Sequence, residues 1–161
     1  MAEEIETKLR DWFFDAEKVV LAGIGNAIRT DDYVGLKIVE ELKGRLPETV
    51  CLIEAETVPE SYLLDIEDFN PTHVLLIDAA CLGLKPGEAS IVEAEKIEHY
   101  SAVTTHLLPL RVFCEYIKQA TGSKIAFLLI EPKSMEFGEG LTPEIQKAAE
   151  KLTTILYNLL R

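Results

Sequence analysis

The chain has 161 residues, nearly half of them apolar, which is enough for one domain with a self-sufficient core. Its net charge of −12 disfavours nucleic acid, whose recognition rests on basic contacts to phosphate, and suits solubility or a basic peptide partner. No apolar run reaches the ~18 residues of a membrane span, the acidic start Met1–Glu6 is unlike a signal peptide, and the dispersed Cys51, Cys81 and Cys114 form neither a disulfide framework nor a zinc pattern, which implies a reducing, cytoplasmic setting.

Ile5, Leu9, Trp12 and Phe13 recur at helical spacing and predict an extra leading helix over about 3–14, within residues 1–17. Strand one is expected over about 18–24. A glycine-rich turn, Gly23-Ile24-Gly25-Asn26, then leads into a helix over about 31–45 with Val34, Ile38, Val39, Leu42 and Leu46 on one face. Strand two, about 50–56, alternates apolar and polar residues. Pro59-Glu60-Ser61 opens a short helix, and Asn70-Pro71 turns the chain into strand three, Val74–Asp78, whose continuous apolar run predicts a central, doubly covered strand. The turn residues Gly83–Gly87 precede strand four at about 89–94. Residues 79–88 are too few for a parallel crossover, so strand four is expected to be antiparallel and at an edge. A helix over about 106–120, with Val112, Phe113, Tyr116 and Ile117 inward, leads to strand five, Lys124–Ile130. Thr142-Pro143-Glu144 then starts a final helix, with threonine as cap and proline in the first turn. The alternation predicts a single α/β domain over 1–161. Its architecture is a three-layer sandwich with a mostly parallel, twisted five-stranded sheet, one antiparallel edge strand, and helices on both faces.

Ligands in such folds bind at the carboxyl ends of the strands. Four side chains fall there. Asp31 and Asp32 stand where the first long helix begins, a place usually given to an anion, so the pair favours a cation over a phosphate. Acidic residues also suit a first helical turn by themselves. Consecutive helical side chains point about 100° apart, so one aspartate belongs near the cap and the other in the cleft, and spacing leaves open which. Asp78 ends the strongest strand, although a loop aspartate can equally serve its own turn. His106 opens a helix, where the dipole disfavours its cationic form and leaves the neutral, metal-binding imidazole. Asp32, Asp78 and His106 together would suit a divalent transition metal with open positions, zinc, nickel or iron alike. A thiol nucleophile, Cys81 with His106 and Asp78, is a rival arrangement that lacks any local signature. The Gly23/Gly25 pair is half of a dinucleotide fingerprint without its third glycine.

These motifs, in this order and with these gaps, resemble the nickel–iron hydrogenase maturation proteases. The opening motif is Gly23-Ile24-Gly25-Asn26 with Asp31-Asp32 and Gly35, the second is Asp78-Ala79, and the third is Thr104-Thr105-His106 with Pro109-Leu110. Pro59-Glu60 and Leu82–Glu88 are most similar to the subgroup that processes the large subunit of hydrogenase 3 type enzymes. The similarity runs from about residue 18 to the end. It implies an endopeptidase that removes a C-terminal extension from the nickel-loaded large-subunit precursor, with the nickel ion supplied by the substrate. The family's metal ligands fall on Asp32, Asp78 and His106, Asp32 replacing the glutamate of many members. Either Asp31 or a ligand aspartate would act as general base. Gly25, Asn26, Glu56 and Thr57 would meet the substrate tail. Where the family usually has an acidic residue, two glycines and threonine or serine, this chain has Glu54-Ala55-Glu56-Thr57, which puts a charge beside the cleft. A non-catalytic nickel-binding chaperone is the alternative the resemblance leaves open.

Overall fold

Strands form where the apolar runs predict them. The computed structural model describes residues 2–99 and 107–161. The strands are β1 (Val19–Ile24), β2 (Val50–Glu56), β3 (His73–Ala79), β4 (Ala89–Glu93) and β5 (Lys124–Ile130). They make one sheet in the order β2-β1-β3-β5-β4. All pairings are parallel except β4 with β5, so the short link after β3 produces the expected antiparallel edge.

The helices are α1 (Ala2–Trp12), α2 (Val34–Leu42), α3 (Leu63–Phe69), α4 (Leu107–Thr121) and α5 (Pro143–Leu160). Alternate residues of β1, β3 and β5 face opposite ways. Val19, Leu21, Leu75, Ile77 and Leu128 pack with α1, α2 and α5 in one core. Val20, Ala22, Leu76, Phe127 and Leu129 pack with α3 and α4 in the other. Every residue of β1 and β3 is buried, as a doubly covered strand requires.

Three local expectations change. The helix expected from residue 31 begins at Val34, after a 3-10 turn over Thr30–Tyr33, because the side chain of Asp31 turns away to other partners. Thr142 occupies the N-cap of α5, but its hydroxyl also goes to Asp31 rather than to its own helix. On α4 the inward stripe is Leu110, Phe113, Cys114 and Ile117, while Val112 is 68% and Tyr116 42% exposed. One helical step of 100° separates the two sets.

The order β2-β1-β3 means that the chain leaves β1 toward one side while β3 lies on the other. A crevice opens at such a switch point, at the carboxyl ends of β1 and β3. Two glycines let α2 close on it. A Cβ on Gly35 would lie 2.0 Å from the Ile77 carbonyl oxygen, and one on Gly23 would lie 2.6 Å from the Gly35 oxygen. The backbones of β1, α2 and β3 therefore touch, which brings the turn before α2 against the end of β3.

Candidate active site

The turn after β1 is built around Gly25. Its φ is +140°, and a Cβ there would lie 1.8 Å from the Asp32 carbonyl oxygen, so no side chain fits. The Gly25 N–H donates to the Glu56 carbonyl at 2.9 Å, tying this turn to the end of β2. Asn26 folds back on the same turn. Its N–H donates to Asp32 Oδ2 at 2.9 Å, and its Oδ1 accepts from the Ile28 N–H at 3.1 Å.

The two adjacent aspartates divide their work sharply. Asp31 is fully buried, and both of its oxygens are engaged. Oδ2 accepts the Lys133 and Ser134 N–H groups at 2.9 Å, and Oδ1 accepts the Thr142 N–H at 2.8 Å. The Thr142 hydroxyl lies 3.0 and 2.9 Å from the two oxygens. A carboxylate so enclosed has neither a free lone pair nor a route to water. The general-base role expected as one option for Asp31 therefore does not suit its position. It is a clamp that holds the 131–142 loop and the start of α5 to the turn before α2.

Asp32 is 1% exposed, and only its Oδ2 is held. Its Oδ1 is buried and has no hydrogen-bond partner among the described residues. An ionised oxygen in that state is costly unless a cation or a proton meets it. Asp78, the penultimate residue of β3, has its side chain fully buried, and its Oδ1 accepts the Ala79 N–H at 2.8 Å. The expected third member, His106, lies outside the described residues. Among the described residues no three His, Cys, Asp or Glu side chains gather as a metal site. The two aspartates nevertheless fit one side of such a site: hard oxygen donors at one sheet edge, one of them with an oxygen to spare.

Glu56 and Thr57 are exposed at the end of β2. Glu56 has φ +53°, the left-handed region that favours glycine. The position where the related pattern has glycine thus keeps the glycine backbone while carrying a glutamate. Cys81 is exposed in the loop after β3, and all three thiols are free.

One carboxylate here escaped the sequence reading. Glu131 follows β5 and is 8% exposed. Its Oε1 accepts the Leu82 and Leu84 N–H groups at 2.7 and 3.1 Å. Its own backbone pairs with Gly87 and Glu88. The signal was present, because Leu128-Leu129-Ile130-Glu131 repeats the apolar-run-then-acid pattern of Leu75-Leu76-Ile77-Asp78. The 131–142 loop also reaches this site. It docks on the turn before α2 through Thr30 N–H to Gly138 O at 3.0 Å, Gly138 N–H to Ile28 O at 2.9 Å, and Arg29 Nε to Met135 O at 3.3 Å. On these two joined loops Phe137 is 84% and Ile28 45% exposed, an apolar rim beside the crevice.

Comparison with known proteins gives a consistent picture. Residues 36–159 match the family model of the hydrogenase maturation protease HycI. The hydrogenase 3 maturation protease of Escherichia coli K12 is 30% identical over 131 residues, covering 81% of this chain and 83% of that protein. The crystal structure of the hydrogenase maturation protease HycI from Thermococcus kodakarensis superposes with a TM-score of 0.88 at 34% identity, covering 95% of this chain and 98% of that one. The E. coli hydrogenase maturating endopeptidase HybD superposes at 0.74 with 28% identity, covering 88% and 91%. Among the described residues no helix is long and apolar enough to cross a membrane.

Proposed function

Because the chain belongs to the hydrogenase maturation protease family, we propose that its peptidase activity removes a C-terminal extension from the nickel-loaded large-subunit precursor of a nickel–iron hydrogenase. The observation that carries this reading is Asp32 Oδ1, buried without a partner among the described residues at the crevice where β3 delivers Asp78. That oxygen calls for a cation, and a cation arriving with the substrate would meet it only when the correct precursor docks.

Asp32, Asp78 and His106 are the residues assigned to meet the nickel. An ion held there would supply Lewis-acid chemistry toward the scissile carbonyl or a water. Asp31 is sealed, so proton transfer falls to Asp32 or Asp78. Asn26 offers the substrate its side-chain NH2 group, since its backbone N–H and Oδ1 are both used internally. The Gly25 N–H is likewise taken, so Gly25 contributes room rather than a hydrogen bond. Glu56 and Thr57 stand at the rim to meet the substrate tail. The free thiols are in keeping with a cytoplasmic site of action.

The test compares nickel-loaded and nickel-free precursor, each incubated with the protein and followed by intact mass. Loss of a C-terminal peptide from the loaded form alone is expected, and His106→Ala should abolish it without unfolding the protein. A folded His106→Ala variant that processes normally refutes the ligand assignment. Tight nickel binding with no cleavage of the cognate loaded precursor would replace protease with chaperone.

A further inference from the structure

On the side of the molecule where α1 and α5 cover the sheet, a groove of about 580 Å³ runs between α1 and α5 over the 84–90 segment. Ile5, Leu152 and Ile155 give it an apolar floor, and Lys8, Lys85, Lys147 and Lys151 stand along it. The acids of its lining are largely occupied. Glu4 holds Lys8 at 3.1 Å, and Glu144 holds Lys133 at 2.6 Å. Glu88 remains, against three lysines (Lys85, Lys147 and Lys151) that form no ion pair among the described residues. Lys147 and Lys151 are one helical turn apart on α5, and Lys85 lines the same groove from the loop before β4. In a chain of net charge −12 this is a local reversal of sign.

Two of its three sides, the 84–90 segment and α5, start at residues fixed to the crevice. Glu131 at the end of β5 holds Leu82, Leu84 and Gly87, and Asp31 holds Thr142 at the start of α5. The groove is therefore joined to the candidate site along these two sides. We propose that it is a docking groove for an acidic, leucine-type stretch of the protein substrate. The proposal rests on the processing function above. Charge complementarity selects the occupant: an acidic segment is repelled by the rest of this surface and attracted here, and its apolar side chains cover the floor. A groove of this kind adds selectivity and encounter rate without entering the chemistry.

The test uses the full chain, its triple charge reversal Lys85→Glu/Lys147→Glu/Lys151→Glu, and the triple arginine variant at the same positions. Processing of the nickel-loaded precursor is measured at low and high salt. A fluorescein-labelled peptide alternating glutamate and leucine supplies a direct binding readout by anisotropy. The wild type should lose kcat/KM as salt rises. The reversal should raise KM about tenfold at low salt and flatten the salt dependence, and the arginine variant should behave like wild type. The labelled peptide should bind wild type and not the reversal. Equal KM for wild type and reversal, with the precursor still processed, overturns the groove and leaves the function standing. Peptide binding by a wild type that processes no loaded precursor supports the groove and overturns the function. Dimerisation of wild type lost in the reversal, seen by sedimentation, overturns the acidic-segment assignment in favour of a second copy of the chain.

Discussion

Removing the Asp31 carboxylate should unfold the crevice before it affects the chemistry. Asp31→Ala strands the N–H groups of Lys133, Ser134 and Thr142, whose part-buried hydrogen bonds to its oxygens are 2.8 to 2.9 Å long, together with the Thr142 hydroxyl. Hydrogen bonds to a charged group contribute about 1.5–3 kcal/mol each. These share one acceptor, and the loop can relax toward water, so the sum is not additive. A loss of about 4 kcal/mol is expected, or a fall in Tm of about 8–16 °C for a domain of this size. Urea unfolding followed by circular dichroism measures it, and amide exchange locates it, because protection should vanish first at those three N–H groups. Asp31→Asn keeps one acceptor oxygen but sets its NH2, a donor, against the remaining N–H groups, so a loss close to that of Asp31→Ala is expected. Assayed well below its transition, Asp31→Asn should still process precursor. A loss below about 1 kcal/mol in Asp31→Ala, or a stable Asp31→Asn variant without activity, would refute the clamp and return Asp31 to the chemistry.

Asp32→Asn should behave in the opposite way, with processing lost and stability within about 1 kcal/mol of wild type or above it, since a buried neutral amide costs less than an unmet carboxylate oxygen. Matched urea curves and precursor assays check the pair. Glu56→Gly should stabilise the fold by about 0.5–1 kcal/mol, because it relieves a left-handed φ of +53° while losing some unfolded-state restriction; chemical denaturation measures this, and a destabilised variant would contradict it. His73, at the start of β3, has its side chain only 2% exposed and set edge-to-face against Trp12, with ring centroids 4.9 Å apart. Burial holds its folded-state pKa below the usual 6.5, ahead of the opposing pull of Asp15. The unfolded chain therefore takes up the proton first, so His73 contributes stability above about pH 6.5 that is lost as pH falls toward its folded pKa. The urea midpoint should drop between pH 7 and 5.5, and His73→Gln should flatten that slope.

What was legible in the sequence was whatever a short segment decides alone. The apolar run of β3 announced both a doubly covered strand and a carboxylate at its end. The ten residues after it excluded a parallel crossover. The division between Asp31 and Asp32 was not legible, because Asp31's partners lie 102 to 111 positions away in a loop with no pattern of its own. Val112 and Tyr116 looked like core because a short amphipathic helix offers two apolar stripes one step apart, and only the packing partner selects one. Glu56 hid its backbone, since a glutamate does not advertise a positive φ.

The clamp between Asp31 and Thr142 also sets the order in which this protein can mature. It closes a loop of 111 positions, and sheet pairings of β1 with β2 and β3 need far less of the chain. On a ribosome the first three strands can pair while α5 is still in the exit tunnel. The turn carrying Asp32 then has no anchor on its outer side, and its geometry waits for the last helix to arrive. Long-range closures of this kind are late and slow in folding. A nascent or truncated chain would thus have a sheet without a working crevice, and proteolytic competence would appear only with completion of the C-terminal helix.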